Sequence, residues 1–152
     1  MRKTSERHTG ILNAYSEGTS SFNGWMRDRL GDLHLASWEW GAIEMSWNID
    51  DRFIMPDGVM FGGHIASVAD HVAGLLSMTV LEEDTERFVT SRLETNYFRP
   101  LTKPRARIVG RVTNVSRSLI HAEADFLNAE DKLAVRLYAV QVRRSPSAQR
   151  RD

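Results

Sequence analysis

The stretch from His64 to Leu81 constrains this chain more than any other. It is apolar along most of its length, yet Asp70 and His71 sit in its middle. An ionisable side chain at bilayer depth is costly, and the apolar residues here gather on one side. The stretch therefore reads as the core helix of a globular domain and not as a membrane span. At about 100° per residue, Ile65, Val68, Ala69, Val72, Leu75, Leu76 and Val80 fill one arc of about 140°. Asp70 falls on the opposite side among Ala66, Ser67, Ala73, Gly74 and Ser77, all of them small. Exposed helix faces usually carry long charged side chains. A carboxylate ringed by small residues can instead be approached closely by a substrate or by another chain. Gly62-Gly63 opens the helix, so a ligand can come near the first free backbone N–H groups, which lie at the positive end of the helix dipole and suit an anion or a developing oxyanion. Gly62 and Asp70 are about 12 Å apart along the axis, too far for one carbonyl group to touch both. If they serve one site, Asp70 comes from a second copy of the chain, which predicts a homodimer with two shared sites.

With 152 residues, the chain has the size of one domain. A composition 41% apolar and 26% charged fits an ordinary globular fold and excludes fibrous or low-complexity classes. Lys plus Arg and Asp plus Glu are 20 each, so no broad attraction to nucleic acid or to a membrane surface is expected. The absence of Cys removes disulfide scaffolds, thiolate zinc sites and Cys nucleophiles. Residues 1–20 are polar with no apolar h-region, so no secretory signal is read and the cytoplasm is the default location. These residues are expected to form a flexible N-terminal arm, 21–142 a single domain and 143–152 a flexible basic tail.

Phe22, Trp25, Met26 and Leu30 fall at helical spacing, with Gly31 as the stop. Ile43, Met45, Trp47 and Ile49 alternate with Glu44, Ser46 and Asn48 in a half-buried strand, whose expected hairpin partner is 33–38. Beyond the long helix lie four strand-like runs: 88–97, 105–115, 119–127 and 132–142. The economical solution for this order is an antiparallel sheet wrapped on one central helix, since strands joined by short turns pair with their neighbours.

The run Met55-Pro56-Asp57-Gly58-Val59-Met60-Phe61-Gly62-Gly63, Asp70 further along the helix, and Leu93-Glu94-Thr95-Asn96-Tyr97-Phe98-Arg99-Pro100 on the next strand together resemble the hotdog-fold acyl-CoA thioesterases of the phenylacetate-pathway type. The resemblance spans roughly residues 33–142. It implies the hotdog fold, an α+β arrangement with an antiparallel sheet around one long helix. It also implies edge-to-edge dimers and hydrolysis of a CoA thioester at the dimer interface, without cofactor or metal. Carried over, Gly62 is the backbone oxyanion donor, Asp70 the general base or nucleophile from the partner subunit, and Thr90 a hydroxyl that helps position water. Two positions depart from the family pattern. Met55 stands where Asn or Gln usually precedes the Pro-x-Gly turn, and Phe61 where a His precedes the glycine pair.

Met55, Phe61 and Gly63 are read as lining the substrate site, with Phe61 shaping acyl choice; His64, on the first helical turn, is read either as entering the partner's substrate site or as a core-edge residue. Arg99, Lys103, Arg105 and Arg117 are the candidate partners of the CoA phosphates. Trp38, Trp40, Trp47, Phe53 and Tyr97 are read as core and dimer packing. Other chemistries fare worse. His64 and His71 are about 10 Å apart along the helix and cannot share one zinc with bonds of about 2 Å. No Gly-x-Ser-x-Gly elbow is present, and adjacent Asp70 and His71 diverge by about 100°. The alternative is an acyl-CoA-binding dimer that lost turnover with Met55 and Phe61. Whether dimers pair into tetramers is left open.

Overall fold

The computed structural model describes residues 1–145. Its elements run α1 (Glu6–Glu17), α2 (Ser21–Arg29), β1 (Asp32–Glu39), β2 (Ala42–Asn48), a single 3-10 turn (Asp51–Phe53), α3 (Gly62–Met78), β3 (Arg87–Tyr97), β4 (Arg105–Val115), β5 (Leu119–Leu127) and β6 (Leu133–Arg144). The six strands form one antiparallel sheet in the order β1-β2-β4-β5-β6-β3. Helix α3 packs against five of them, from β2 to β3, so the sheet curls around it. This is the α+β arrangement the sequence predicts.

The predicted apolar arc is the buried one: Ile65, Val68, Ala69, Val72, Leu75 and Leu76 are at most 3% exposed. Each large aliphatic side chain so buried contributes about 1.5–3 kcal/mol. Gly110 on β4 is what lets Leu76 seat, because a Cβ there would lie 2.8 Å from Leu76 Cδ1. The wrap goes further than the arc alone implies. Ala73 and Ser77, expected on the open face, are fully buried, and Gly74 lies against the Phe88 ring of β3. Part of the small-residue strip thus serves close approach by a strand of the same chain, not by a partner.

Two expectations are corrected. Residues 1–20 are not a loose arm: Ser5 caps α1, whose residues His8, Leu12 and Tyr15 are buried. Thr4 Oγ1 donates to Thr79 O (2.6 Å) and Ser5 N to Leu81 O (2.8 Å), which ties this segment to the C-terminal end of α3. With few apolar residues, α1 carries little signal of its own, and its burial comes from docking on β1 and α3. The hairpin pairings expected among the last three strands are observed, while strand β3 lies at the far edge beside β6 and 98–104 bridges the span to β4, with Leu101 fully buried. The second correction concerns the C-terminal tail. At the other terminus, β6 continues through Arg144, so the expected tail begins later than 143, and its remainder, 146–152, lies outside the described residues.

Candidate active site

The N-terminal end of α3 is built by the turn before it. Met55 N donates to Val59 O and Gly58 N to Met55 O, while Asp57 Oδ1 accepts from Val59 N. Met60 N then bonds Leu101 O (2.8 Å) in the crossing segment. The capping residue, Phe61, supplies no side-chain hydrogen bond. Among the described residues, no acceptor meets the backbone N–H groups of Gly62 and Gly63. Both amides are therefore open donors at the positive end of a helix of 17 residues.

Aromatic rings frame these amides. Phe61 is 58% exposed, and its ring folds back so far that a Cβ at position 63 would sit 2.7 Å from its Cε1; only glycine fits beneath it in this pose. Tyr97, at the end of β3, places its ring about 3.7 Å from where a Gly62 Cβ would be. Its hydroxyl donates to Gly62 O (2.8 Å) and accepts from Thr95 Oγ1 (3.1 Å). Sequence reasoning took Tyr97 as packing and passed over Thr95. The β-bulge between Thr90 and Arg92 shifts the alternation of β3 and hides which of its residues face the helix.

Asp70 is exposed, and Thr90 Oγ1 donates to its Oδ1 at 2.8 Å. The structure thus brings Thr90 and Asp70 together. It leaves Gly62 on the same helix eight residues away, about 12 Å along the axis, so the two ends of the predicted constellation do not meet within one chain. His71 turns away from Asp70 and shares a hydrogen bond with Tyr15 Oη (2.9 Å). Burial holds the His71 imidazole down at about 4 and pushes the Tyr15 hydroxyl up to about 12.

His64 is not beside the open amides. Its ring stacks on Phe53 (3.7 Å between centroids) and its Nε2–H donates to Leu30 O (2.7 Å), with burial lowering its pKa. Arg99 stands at the Gly62 end, with Nη1 donating to Leu133 O (2.8 Å), and Lys103 there pairs with Asp51 (2.7 Å). Arg117 lies in the β4–β5 turn next to Ser118, whose carbonyl accepts from Arg143 N. That is the opposite end of the sheet. Met55 is 36% exposed in the turn leading to α3. Among the described residues, no group of three or more His, Cys, Asp or Glu side chains could hold a metal ion, and no helix is long and apolar enough to cross a membrane.

A six-stranded sheet wrapped on one long helix defines a class of fold, and the comparisons agree with it. The family model described as "Thioesterase superfamily" matches residues 57–135, and the chain belongs to that superfamily. An esterase-named protein of Saccharolobus solfataricus is 30% identical over 105 residues, covering 69% of this chain and 74% of its own. A Haemophilus influenzae thioesterase structure superposes with a TM-score of 0.73 at 21% identity over 88% of this chain and 89% of that one. A hypothetical thioesterase of Streptococcus pneumoniae, crystallised with coenzyme A, gives 0.70 at 14% identity over 78% and 90%. The architecture is the hotdog fold.

Proposed function

We propose that this chain is an acyl-CoA thioesterase of the phenylacetate-pathway type that works as a homodimer. The observation that carries the reading is the division of labour along α3: open amides at Gly62 and Gly63, and an exposed carboxylate held by Thr90 one-half helix away. One helix cannot bring both to a single carbonyl, but two antiparallel copies can. Strand β3 is an edge of the sheet, and Val89, Tyr97 and Phe98 on and just beyond it are 47%, 49% and 57% exposed. Such an edge invites pairing with a second chain. Antiparallel pairing of two β3 edges would carry Asp70 of the partner subunit toward Gly62, and Arg117 of the partner subunit toward the end that holds Arg99. The relative with coenzyme A bound supports CoA as the carrier.

In this reading the thioester oxygen sits against the Gly62 amide. Asp70 either takes a proton from water, which then attacks the carbonyl carbon, or attacks that carbon itself. Thr90, by donating to Oδ1, leaves Oδ2 facing the reaction. The carbonyl electrons move onto the oxygen held by the amide, where preorganised donors are most effective. Collapse expels CoA as the thiolate, which then takes up a proton; where Asp70 itself attacked, the acyl group is left on it as an anhydride, and water then cleaves that anhydride to free the acid and restore the carboxylate. Arg99 serves the CoA phosphates.

The test is free-thiol release from a panel of acyl-CoAs by the wild type and by Asp70→Asn. Turnover should fall by about 10²–10⁴-fold in the variant. A wild-type rate untouched by the substitution would remove Asp70 from the mechanism. Mixing Asp70→Asn chains with chains altered at Gly62 should restore activity in heterodimers, and no recovery at any ratio would count against a shared site. The second reading, a binder without turnover, draws on Phe61 covering Gly63 and on apolar Met55 in the turn. Acyl-CoA binding with no thiol release would favour it.

A further inference from the structure

Gln141, on β6, is fully buried, and among the described residues neither its Nε2 nor its Oε1 has a hydrogen-bond partner. Buried carboxamides are nearly always satisfied, and an orphaned one costs stability that an apolar side chain of similar length would not. Its sheet neighbours call for no polar group: it pairs with Ile120 on β5 and is followed and preceded on its own face by residues of the core strand β6. What lies on its other side differs. In the β3–β6 register Gln141 stands directly opposite Thr90. Residues directly opposite in an antiparallel pair point to the same face, with Cβ atoms about 4.5–5.5 Å apart. Thr90 faces α3, because its hydroxyl reaches Asp70 at 2.8 Å. The bulge at Thr90/Arg92 falls at this pair, and bulges re-aim side chains beside functional sites.

We infer that Gln141 is a positioning residue whose carboxamide orients the Thr90 hydroxyl that holds Asp70. Thr90 Oγ1 spends its proton on Asp70 and keeps lone pairs free; the Gln141 Nε2–H is the neighbouring donor with no other use. In the single chain the two residues stand opposite each other with no hydrogen bond between them; closing that gap in the assembled site completes a relay from Gln141 to Thr90 to Asp70 and fixes which carboxylate oxygen faces the substrate. Departures from the rules of core composition are expected where a chain serves its chemistry. The inference rests on the thioesterase reading above.

Its test compares Gln141→Met, Thr90→Val and the double variant by steady-state thiol release and by thermal melting. Gln141→Met should lower kcat, by up to about 10²-fold if the carboxylate is misplaced, with KM within about twofold. Its melting temperature should stay near that of the wild type, because the substitution removes no hydrogen bond that the single chain makes. The double variant should lose no more than Thr90→Val alone, the signature of two residues acting in series. Full kcat in Gln141→Met would overturn the inference and leave the thioesterase reading intact. Losses that multiply in the double variant, or a Gln141→Met chain that fails to fold or melts far lower, would show the amide to be structural and would also overturn it. A wild type with no turnover on any acyl-CoA would overturn both together.

Discussion

The two ends of α3 are built on opposite plans. At the C-terminal end, polar groups are matched: Thr79 Oγ1 donates to Leu76 O and accepts from Gly41 N, and Thr4 covers Thr79 O. Just beyond, the buried Glu86 carboxylate accepts from the Glu82 and Glu83 amides with one oxygen and from Arg143 Nε and Nη2 with the other. At the N-terminal end, Phe61 caps nothing, two amides stay open, and exposed rings stand around them. One end of the helix spends its polar groups on stability; the other leaves them open, which on the proposed reading is where the chemistry takes place.

Substitutions at the two ends should separate these roles. The largest effect belongs to the open half: Asp70→Asn should abolish most turnover while the melting temperature stays near that of the wild type. Glu86→Ala should do the reverse. It leaves the Arg143 guanidinium, with a side chain only 10% exposed, without its partner, and chemical denaturation should record a loss of about 3–5 kcal/mol. Folded Glu86→Ala protein should keep its kcat. An Asp70→Asn chain that melts much lower, or a Glu86→Ala chain inactive while folded, would erase the contrast.

The next effect is a pH dependence. Burial holds His71 at about 4 in the folded state against an ordinary 6.5. Between those values the unfolded chain binds the proton and the folded chain does not, so stability is full above 6.5 and falls as pH drops toward 4. The loss amounts to roughly 3 kcal/mol. His8 and His64, both lowered by burial first, add slope in the same direction. Urea titrations at several pH values should show this slope in the wild type and a shallower one in His71→Gln. The smallest effect is that of Tyr97→Phe, which deletes the donor to Gly62 O. A loss of about 0.5–1.5 kcal/mol is expected, read mainly as reduced turnover because the bond steadies the carbonyl adjoining the open amides.

Much of this contrast was legible in the chain itself. The apolar period of α3 announces the core helix, and the alternation in 105–115 and 119–127 marks β4 and β5 with the bounds observed. Gly62, Asp70 and Thr90 were readable as a set through their resemblance to the family, and the Thr90–Asp70 hydrogen bond joins two of them. His64 was readable either as a core-edge residue or as one entering the partner's site; the structure stacks it on Phe53, because a half-apolar ring at the core edge finds a flat partner and one carbonyl. The placement of Tyr97 over Gly62 and of Gln141 opposite Thr90 was not legible, since a one-residue bulge in β3 and a cross-strand register lie beyond any pattern in a single segment.

The sequence by itself determined the elements that repeat locally: a helix period, strand alternation, a glycine pair where a backbone must be approached. Local periodicity records which face of a segment avoids water, and that is enough to draw those elements. Only the tertiary structure decided that β3 would lie at the sheet edge, that α1 would be a docked helix, and that Gln141 would stand opposite Thr90. Those facts depend on which segments meet after the chain has crossed itself, and contacts between residues distant in sequence leave no period behind.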